Sequence, residues 1–110
     1  MKLVTLMISP TRLDALKRAL WAQGFKGLSV SQAEGFAFQR GVQEAEGDLV
    51  ATPSQRLRVD VAVKDAEVES LVEAAVEALR TGRVGDGKIF VTALDEVVRV
   101  RTGERGDTAL

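Results

Sequence analysis

"LRVDVAV", residues 57–63, alternates apolar and more polar residues without a break. Leucine and valine occupy every second position, while Arg58 and Asp60 lie between them. Because successive side chains of a β-strand point to opposite faces, this alternation predicts a strand with one buried face. Its other face would carry the charged residues.

The sequence that follows this strand predicts a helix and a further strand. Apolar residues recur at helical spacing from Val68 to Leu79, which is typical of an amphipathic helix. The apolar run 89–94 then predicts a strand, and 97–100 a short further one. The tail "RTGERGDTAL", residues 101–110, has little to bury.

The sequence before residue 57 repeats this arrangement. Residues 3–8 form an apolar run of strand length that closes at Ser9-Pro10. Leucines at helical spacing in 13–20 predict a helix that Thr11 would cap and Gly24 would end. Residues 28–36 predict a second strand.

The predicted order is therefore β-α-β-loop-β-α-β in a single domain, residues 1–110. Two such halves give an α+β ferredoxin-like sandwich, in which an antiparallel sheet carries two helices on one face. The open sheet face of a lone chain would expose an apolar patch, which favours a trimer. Residues 37–55 show no sustained period and predict a protruding loop that is mobile until a ligand or partner binds. Its acidic residues are interpreted as a solvated cluster: Glu44, Glu46 and Asp48.

The composition excludes several classes of function. The net charge of −1 opposes a general binder of nucleic acid or membrane surfaces, because both need an excess of Lys and Arg. Without cysteine or histidine there is no disulfide, no thiolate nucleophile and no imidazole base or metal ligand. No apolar run approaches the roughly 18 residues of a membrane span, and the start lacks the form of a signal peptide. We expect a cytoplasmic domain.

A glycine-rich loop is predicted at residues 81–88, within "TGRVGDGKIF". Successive glycines let backbone N–H groups converge on an anion, and Lys88 would add a positive charge. Arg99 and Arg101 are two positions apart and would share one side of an extended segment. This set suits a polyphosphate. The alternative is that Gly82 ends the helix and a tight turn with solvated charges follows.

Four stretches resemble the PII signal-transduction family of nitrogen regulatory proteins. They are "MKLV", "GFAFQRG", "TGRVGDGKIFVTAL" and "VVRVRTGER", and the likeness runs from end to end. The resemblance implies a ferredoxin-like homotrimer that senses the adenine nucleotides ATP and ADP, often together with 2-oxoglutarate. It also implies that the loop 37–55 docks onto a transporter or an enzyme.

The resemblance further implies a nucleotide site between neighbouring subunits. The residues that would line the phosphates are Gly85, Asp86, Gly87, Lys88, Arg99 and Arg101. Those around the adenosine would be Met7, Ser29, Gly35, Asp60 and Ala62. The root of the loop would add Ala37, Phe38, Gln39 and Arg40. Gln39 would also contact a nucleotide-bound Mg²⁺ and 2-oxoglutarate, and Arg56 would pair with a carboxylate of 2-oxoglutarate.

This sequence departs from the family mainly in the loop. Ala37 and Phe38 replace a small residue and a basic residue, and Arg56 replaces a lysine with a bulkier planar group. The chain has no tyrosine, so uridylylation of a loop tyrosine is excluded. Arg58 and Asp60 have a second interpretation, as cross-strand ion partners.

Several functions remain open from the sequence. We expect a non-enzymatic regulator that senses ATP or ADP and controls a target in nitrogen metabolism or transport. A divergent sensor of ADP, AMP or an effector such as bicarbonate could instead regulate a target outside nitrogen metabolism. A slow nucleotide hydrolase would need a carboxylate or a lysine as its base, since histidine and cysteine are absent, and Asp86 beside the phosphate site is the candidate. The last alternative is a trimeric interaction module that has lost its ligand.

Overall fold

A computed structural model describes residues 1–40 and 49–110. The described part forms one antiparallel sheet with strand order β2-β3-β1-β4 and two α-helices. The elements are β1 (Lys2–Ile8), α1 (Leu13–Ala22), β2 (Ser29–Arg40), β3 (Leu49–Val63), α2 (Val68–Leu79) and β4 (Lys88–Ala93). Three short 3₁₀ turns span Pro10–Arg12, Asp65–Glu67 and Gly106–Ala109. The predicted ferredoxin-like sandwich is confirmed.

Strand β3 has the predicted alternation. Its Val59, Val61 and Val63 are buried, while Arg58 and Ala62 on the other face are exposed. The buried valines pack with alternate residues of β1 and with one side of each helix. This core contains Val4, Leu6, Ile8, Leu16, Leu20, Leu71, Ala75 and Leu79. Both helices therefore cover one face of the sheet, and the other face is left open.

Helix α1 ends as predicted but begins differently. Gly24 has φ +92°, and the amide of Phe25 reaches back to the carbonyl of Leu20 at 3.0 Å, as in a Schellman motif. The prediction that Thr11 caps the helix is wrong. Pro10 starts a 3₁₀ turn that contains Thr11, so the α-helix begins only at Leu13 and has no side-chain cap.

The prediction of a structureless loop over 37–55 is also wrong for residues 37–40 and 49–55, which extend β2 and β3. Pairing with β1 stops at Ile8–Leu57, so beyond that point β2 and β3 pair only with each other among the described residues. A strand without a second neighbour tolerates Pro53, because no ladder on its outer side needs the missing N–H. The paired extension is roughly 25 Å long at 3.3 Å per residue.

The C-terminal segment forms turns instead of the predicted strand over 97–100. An isolated bridge joins Val98 to Arg105, and Gly103 with φ +74° reverses the chain between them. A last 3₁₀ turn brings Leu110 back to the end of β3, where it lines a cavity with Ala62, Val63 and Glu67. Within residues 1–40 and 49–110, none of the helices has the length and apolarity to cross a membrane.

Candidate functional site

The glycine-rich loop between α2 and β4 packs directly on the end of β1. Gly87 has φ +108°, and a Cβ placed on it would lie only 2.0 Å from the carbonyl oxygen of Met7. No side chain fits in that space, since Cβ atoms do not approach backbone oxygen so closely. The glycine therefore sets how near the loop lies to the sheet.

The first half of the loop is closed by the carboxylate of Asp86. It accepts hydrogen bonds from the amides of Thr81 at 2.8 Å and Gly82 at 3.0 Å, and from the Thr81 hydroxyl. The hydroxyl oxygen of Thr81 in turn accepts from the amide of Arg83 at 3.3 Å. These contacts, the Thr81 hydroxyl first, hold the pKa of Asp86 below its ordinary value. The carboxylate of Asp86 thus faces into the loop, and Asp86 can offer a ligand only its backbone amide.

The second half of the loop offers unused hydrogen-bond donors. Among the described residues, no acceptor lies within normal hydrogen-bond geometry of the amide N–H of Gly85, Asp86 or Gly87, although a turn at residues 84–85 brings the Asp86 amide towards the Arg83 carbonyl. Gly85 and Gly87 both have positive φ, at +102° and +108°. Consecutive free amides in such a backbone form an anion-binding nest. The alternative with Gly82 as the helix cap does not hold, because α2 is capped by Arg80 and Gly82 lies within the closed half.

Lys88 lies beside the free amides as the first residue of β4. It is exposed, lies opposite Met7 in the register, and has no ion pair within the described part of the chain. By the strand alternation it projects to the open face together with Phe90. A positive charge next to a nest is suited to an anion with several oxygens.

Arg56 joins the same group from β3. Its Nη1 donates to the carbonyl oxygen of Gly85 at 2.8 Å, and its Cγ lies over Gly35 of β2. Gly35 also receives a long contact of 3.5 Å from the Ser54 hydroxyl to its carbonyl. One cluster therefore collects the predicted residues Met7, Gly35, Arg56, Gly85, Asp86, Gly87 and Lys88.

A second cluster collects predicted residues towards the other end of the open face. Asp60 accepts hydrogen bonds from Thr5 at 2.5 Å and Arg58 at 3.0 Å. Arg58 and Asp60 do form an ion pair, but both lie on β3, so the pair is within one strand and not across strands as predicted. Ser29 lies opposite Asp60 on β2 and is exposed. Exposed Ala62 lines a cavity of about 310 Å³ with Gly27 and Leu110, among other residues.

The two C-terminal arginines predicted to bind phosphate differ in their contacts. The guanidinium of Arg99 binds Glu104 and the carbonyl of Leu110, both at 3.1 Å. Through Leu110 it belongs to the second cluster. Arg101 is exposed and forms no ion pair with another described residue. Neither arginine has a hydrogen bond to the glycine-rich loop of its own chain.

The two clusters lie at different ends of β1. Lys88 is opposite Met7, whereas Ala62 is opposite Leu3, and the four residues between Leu3 and Met7 correspond to about 13 Å. The open face thus carries two separate groups of candidate binding residues, which one chain does not bring together.

The remaining predicted residues lie in the extended hairpin. Ala37 is exposed and opposite Thr52, and the backbones of Phe38, Gln39 and Arg40 continue β2. The side chains of residues 38–51 and the acidic cluster lie outside what the structure describes. Among the described residues, no group of His, Cys, Asp or Glu side chains is placed to hold a metal ion.

Sequence reasoning missed the part that Thr81 plays in closing the loop. The signal was present, because Thr81 and Asp86 bracket two glycines at a spacing that a tight turn can close. It also missed the contact of Thr5 with Asp60, which depends on the pairing of β1 with β3 and leaves no trace in local sequence.

Comparison with known proteins gives one consistent result. The family model described as "Nitrogen regulatory protein P-II" matches residues 1–104. The chain is 43% identical to nitrogen regulatory protein P-II of Azospirillum brasilense over 112 residues, and 40% identical to GlnK of Escherichia coli K12 over 114 residues, with 100% of both chains covered in each case. The solved structure of B. subtilis GlnK matches with a TM-score of 0.89 and 31% identity, over 99% of this chain and 97% of that one. The solved structure of the B. subtilis GlnK–ATP complex matches with a TM-score of 0.87 and 31% identity, over 99% of this chain and 94% of that one.

Replacing Gly87 should cost more stability than replacing Gly82. Both have positive φ, which penalises an alanine by about 1–2 kcal/mol. Only Gly87 would also place a Cβ against backbone, whereas nothing lies within 4 Å of Gly82. We expect Gly87→Ala to lower the free energy of unfolding by about 1–3 kcal/mol more than Gly82→Ala. Urea denaturation at one fixed protein concentration measures the difference, and equal losses would show that the loop can move off β1.

Closure of the loop should depend on pH through Asp86. The pKa of Asp86 is depressed in the folded protein. The charged carboxylate therefore stabilises the folded loop fully above the ordinary pKa of 3.8, and this stabilisation is lost as the pH falls through the lower folded pKa. The amide resonances of Thr81 and Gly82 should therefore shift with a midpoint below 3.8. Asp86→Asn should abolish this transition and Asp14→Asn should leave it. A midpoint at or above 3.8 would contradict the assignment.

Proposed function

This chain belongs to the P-II family of nitrogen regulatory proteins, and we propose that it binds adenine nucleotides and controls a target protein of nitrogen metabolism or transport. The observation that carries the proposal is the nest of free amides from Gly85 to Gly87, followed at once by Lys88. This group presents converging donors and a positive charge, which suits the phosphates of ATP or ADP. The fold match to a GlnK–ATP complex supports the same ligand.

We further propose that the nucleotide lies between subunits of a homotrimer. In one chain the positions of Lys88 and Ala62 lie about 13 Å apart along β1, so a neighbouring chain would complete each site with its second cluster. Arg99 and Arg101 of one subunit would then approach the phosphates held by the glycine-rich loop of the next. Exposed apolar side chains support an interface, since Phe90 is 49% and Val100 97% exposed in the single chain.

The hairpin of β2 and β3 is proposed as the element that a target recognises. Its root carries Gly35 and Arg56, which lie against the glycine-rich loop, and its paired strands project beyond β1. A ligand that prefers one arrangement of the root would therefore bias the presentation of the rest. In this proposal a Mg²⁺ ion would arrive with the nucleotide and meet Gln39, since the described residues form no metal cluster of their own.

A second effector would have to compete for Arg56. The resemblance places a carboxylate of 2-oxoglutarate at this residue, but its guanidinium already binds the carbonyl of Gly85. Phe38 in addition replaces a basic residue that the family has at this position. Both observations favour, as a second candidate, a divergent sensor that reads ADP, AMP or another small effector and acts on a target outside nitrogen metabolism.

We propose that the protein is not an enzyme. The base required by a slow hydrolase would be Asp86, and this carboxylate is already engaged by Thr81 and Gly82. Its lowered pKa also makes it a weaker base than an ordinary aspartate. Incubation with ATP for hours and chromatographic analysis of the products tests this: formation of ADP above the protein-free rate would contradict the proposal, and its loss in Asp86→Asn would make Asp86 the base.

Lys88→Ala should weaken ATP binding by roughly 10- to 150-fold, the range for loss of one charge-assisted contact. Isothermal titration calorimetry measures the affinity. Lys17→Ala, which removes an exposed lysine of α1 that pairs with Asp14, should bind ATP like the wild type. A change of less than a factor of two in Lys88→Ala would show that Lys88 is only a solvated turn residue. No binding of ATP or ADP by the wild type would favour an interaction module without a ligand.

The mass in solution should be that of three chains. Sedimentation equilibrium at micromolar concentration should give about three times the 11.8 kDa of one chain. Phe90→Glu should lower this mass, because it would place a charge on a face that the neighbouring subunit is proposed to cover. A mass of one chain for the wild type would end the proposal of a site between subunits.

A further inference from the structure

Arg56 connects the hairpin with the glycine-rich loop across 29 residues of sequence. Its Nη1 donates a hydrogen bond to the carbonyl oxygen of Gly85 at 2.8 Å. Its aliphatic stem crosses Gly35, where an added Cβ would lie 3.4 Å from the Cγ of Arg56. The half-buried side chain therefore reaches the loop by passing over a position on β2 that lacks a side chain.

This hydrogen bond fixes the direction of one peptide plane. In a trans peptide the carbonyl oxygen of one residue and the N–H of the next point in opposite directions, and the peptide after Gly85 is trans. Because the oxygen of Gly85 points to Arg56, the N–H of Asp86 points away from Arg56. That N–H is one of the three without an acceptor in the described part of the chain.

A turn at residues 84–85 also bears on this plane, but no hydrogen bond of normal geometry closes it. Gly85 has φ +102° and, as a glycine, can adopt positive or negative φ at similar cost. The side chain of Asp86 contacts Thr81 and Gly82 in the first half of the loop, and these contacts do not involve the carbonyl of Gly85. Rotation of the plane would exchange an amide donor for a carbonyl oxygen, and an anion would then meet a group that repels it.

We propose that Arg56 is a positioning residue that holds the amide of Asp86 in the orientation that donates to an anionic oxygen of a phosphate. The proposal rests on the nucleotide binding proposed above. Arg56 acts through the Gly85 carbonyl, without any contact between its guanidinium and the ligand.

The test uses Arg56→Met, which keeps an aliphatic stem over Gly35 and removes the donor. Calorimetry with ATP should show about tenfold weaker binding, as for loss of one hydrogen bond to a charged group. The affinity for adenosine, which has no phosphate, should change by less than about twofold. Arg18→Met removes one positive charge from α1 and serves as the matched control for net charge, with unchanged affinity for both ligands.

A second measurement separates positioning from direct contact. In the nucleotide-free protein, the ¹H–¹⁵N resonances of Asp86 and Gly87 should move in Arg56→Met and stay in place in Arg18→Met. Arg56→Lys, which retains a donor, should restore part of the ATP affinity. Weaker ATP binding with unmoved resonances would mean that Arg56 touches the ligand itself, and the proposal would be wrong.

Other outcomes are equally decisive. Unchanged ATP affinity in Arg56→Met overturns the proposal, and an equal loss for adenosine shows general damage to the site instead of loss of one donor. If the wild type binds no ATP, the proposed function fails. The resonances of the nucleotide-free variants then still show whether Arg56 sets the orientation of the Asp86 amide.

Discussion

Burial of every second side chain of β3 is the constraint on which the rest of the molecule depends. The valines at 59, 61 and 63 lie against both helices, and β3 pairs with β1 on one side and β2 on the other. A shift of the register by one residue would turn these valines to the open face. The same alternation places Arg56, Arg58 and Asp60 together on that open face. The position of the candidate binding residues is therefore a consequence of how the core is packed.

The glycine-rich loop combines a rigid half with a half that keeps its donors free. Asp86 closes the first half from within, the carbonyl of Met7 bounds the second half from below, and Arg56 holds Gly85 from the side. Loops usually satisfy their amides with water, and their donors then have to be ordered when a ligand binds. Here the ordering is already supplied by three contacts from different elements. A nest built in this way favours an anion without a large cost in conformational entropy.

The parts of the fold that sequence could predict are those with local periodicity. The alternation at 57–63 and the helical spacing at 68–79 correspond to observed elements because each pattern also sets which side chains are buried. The hairpin was missed because Pro53 and the nearby glycines are typical of loops, whereas strands that pair on one side only among the described residues can accommodate them. Sequence motifs were enough to identify the family. They did not predict the directions of the Asp86 and Arg56 side chains, because both are set by contacts that form only when the elements are assembled.

The separation of the two clusters gives the proposed assembly a thermodynamic consequence. If a nucleotide lies between the glycine-rich loop of one subunit and the Arg99 region of the next, it binds the assembled form and not the separate chain. A ligand that binds only one form stabilises that form by mass action. By linkage, the contacts that hold neighbouring subunits together then raise the affinity for the nucleotide by the same factor by which the nucleotide strengthens the assembly. The exposed Phe90 and Val100 would in this way contribute to ligand affinity without touching the ligand.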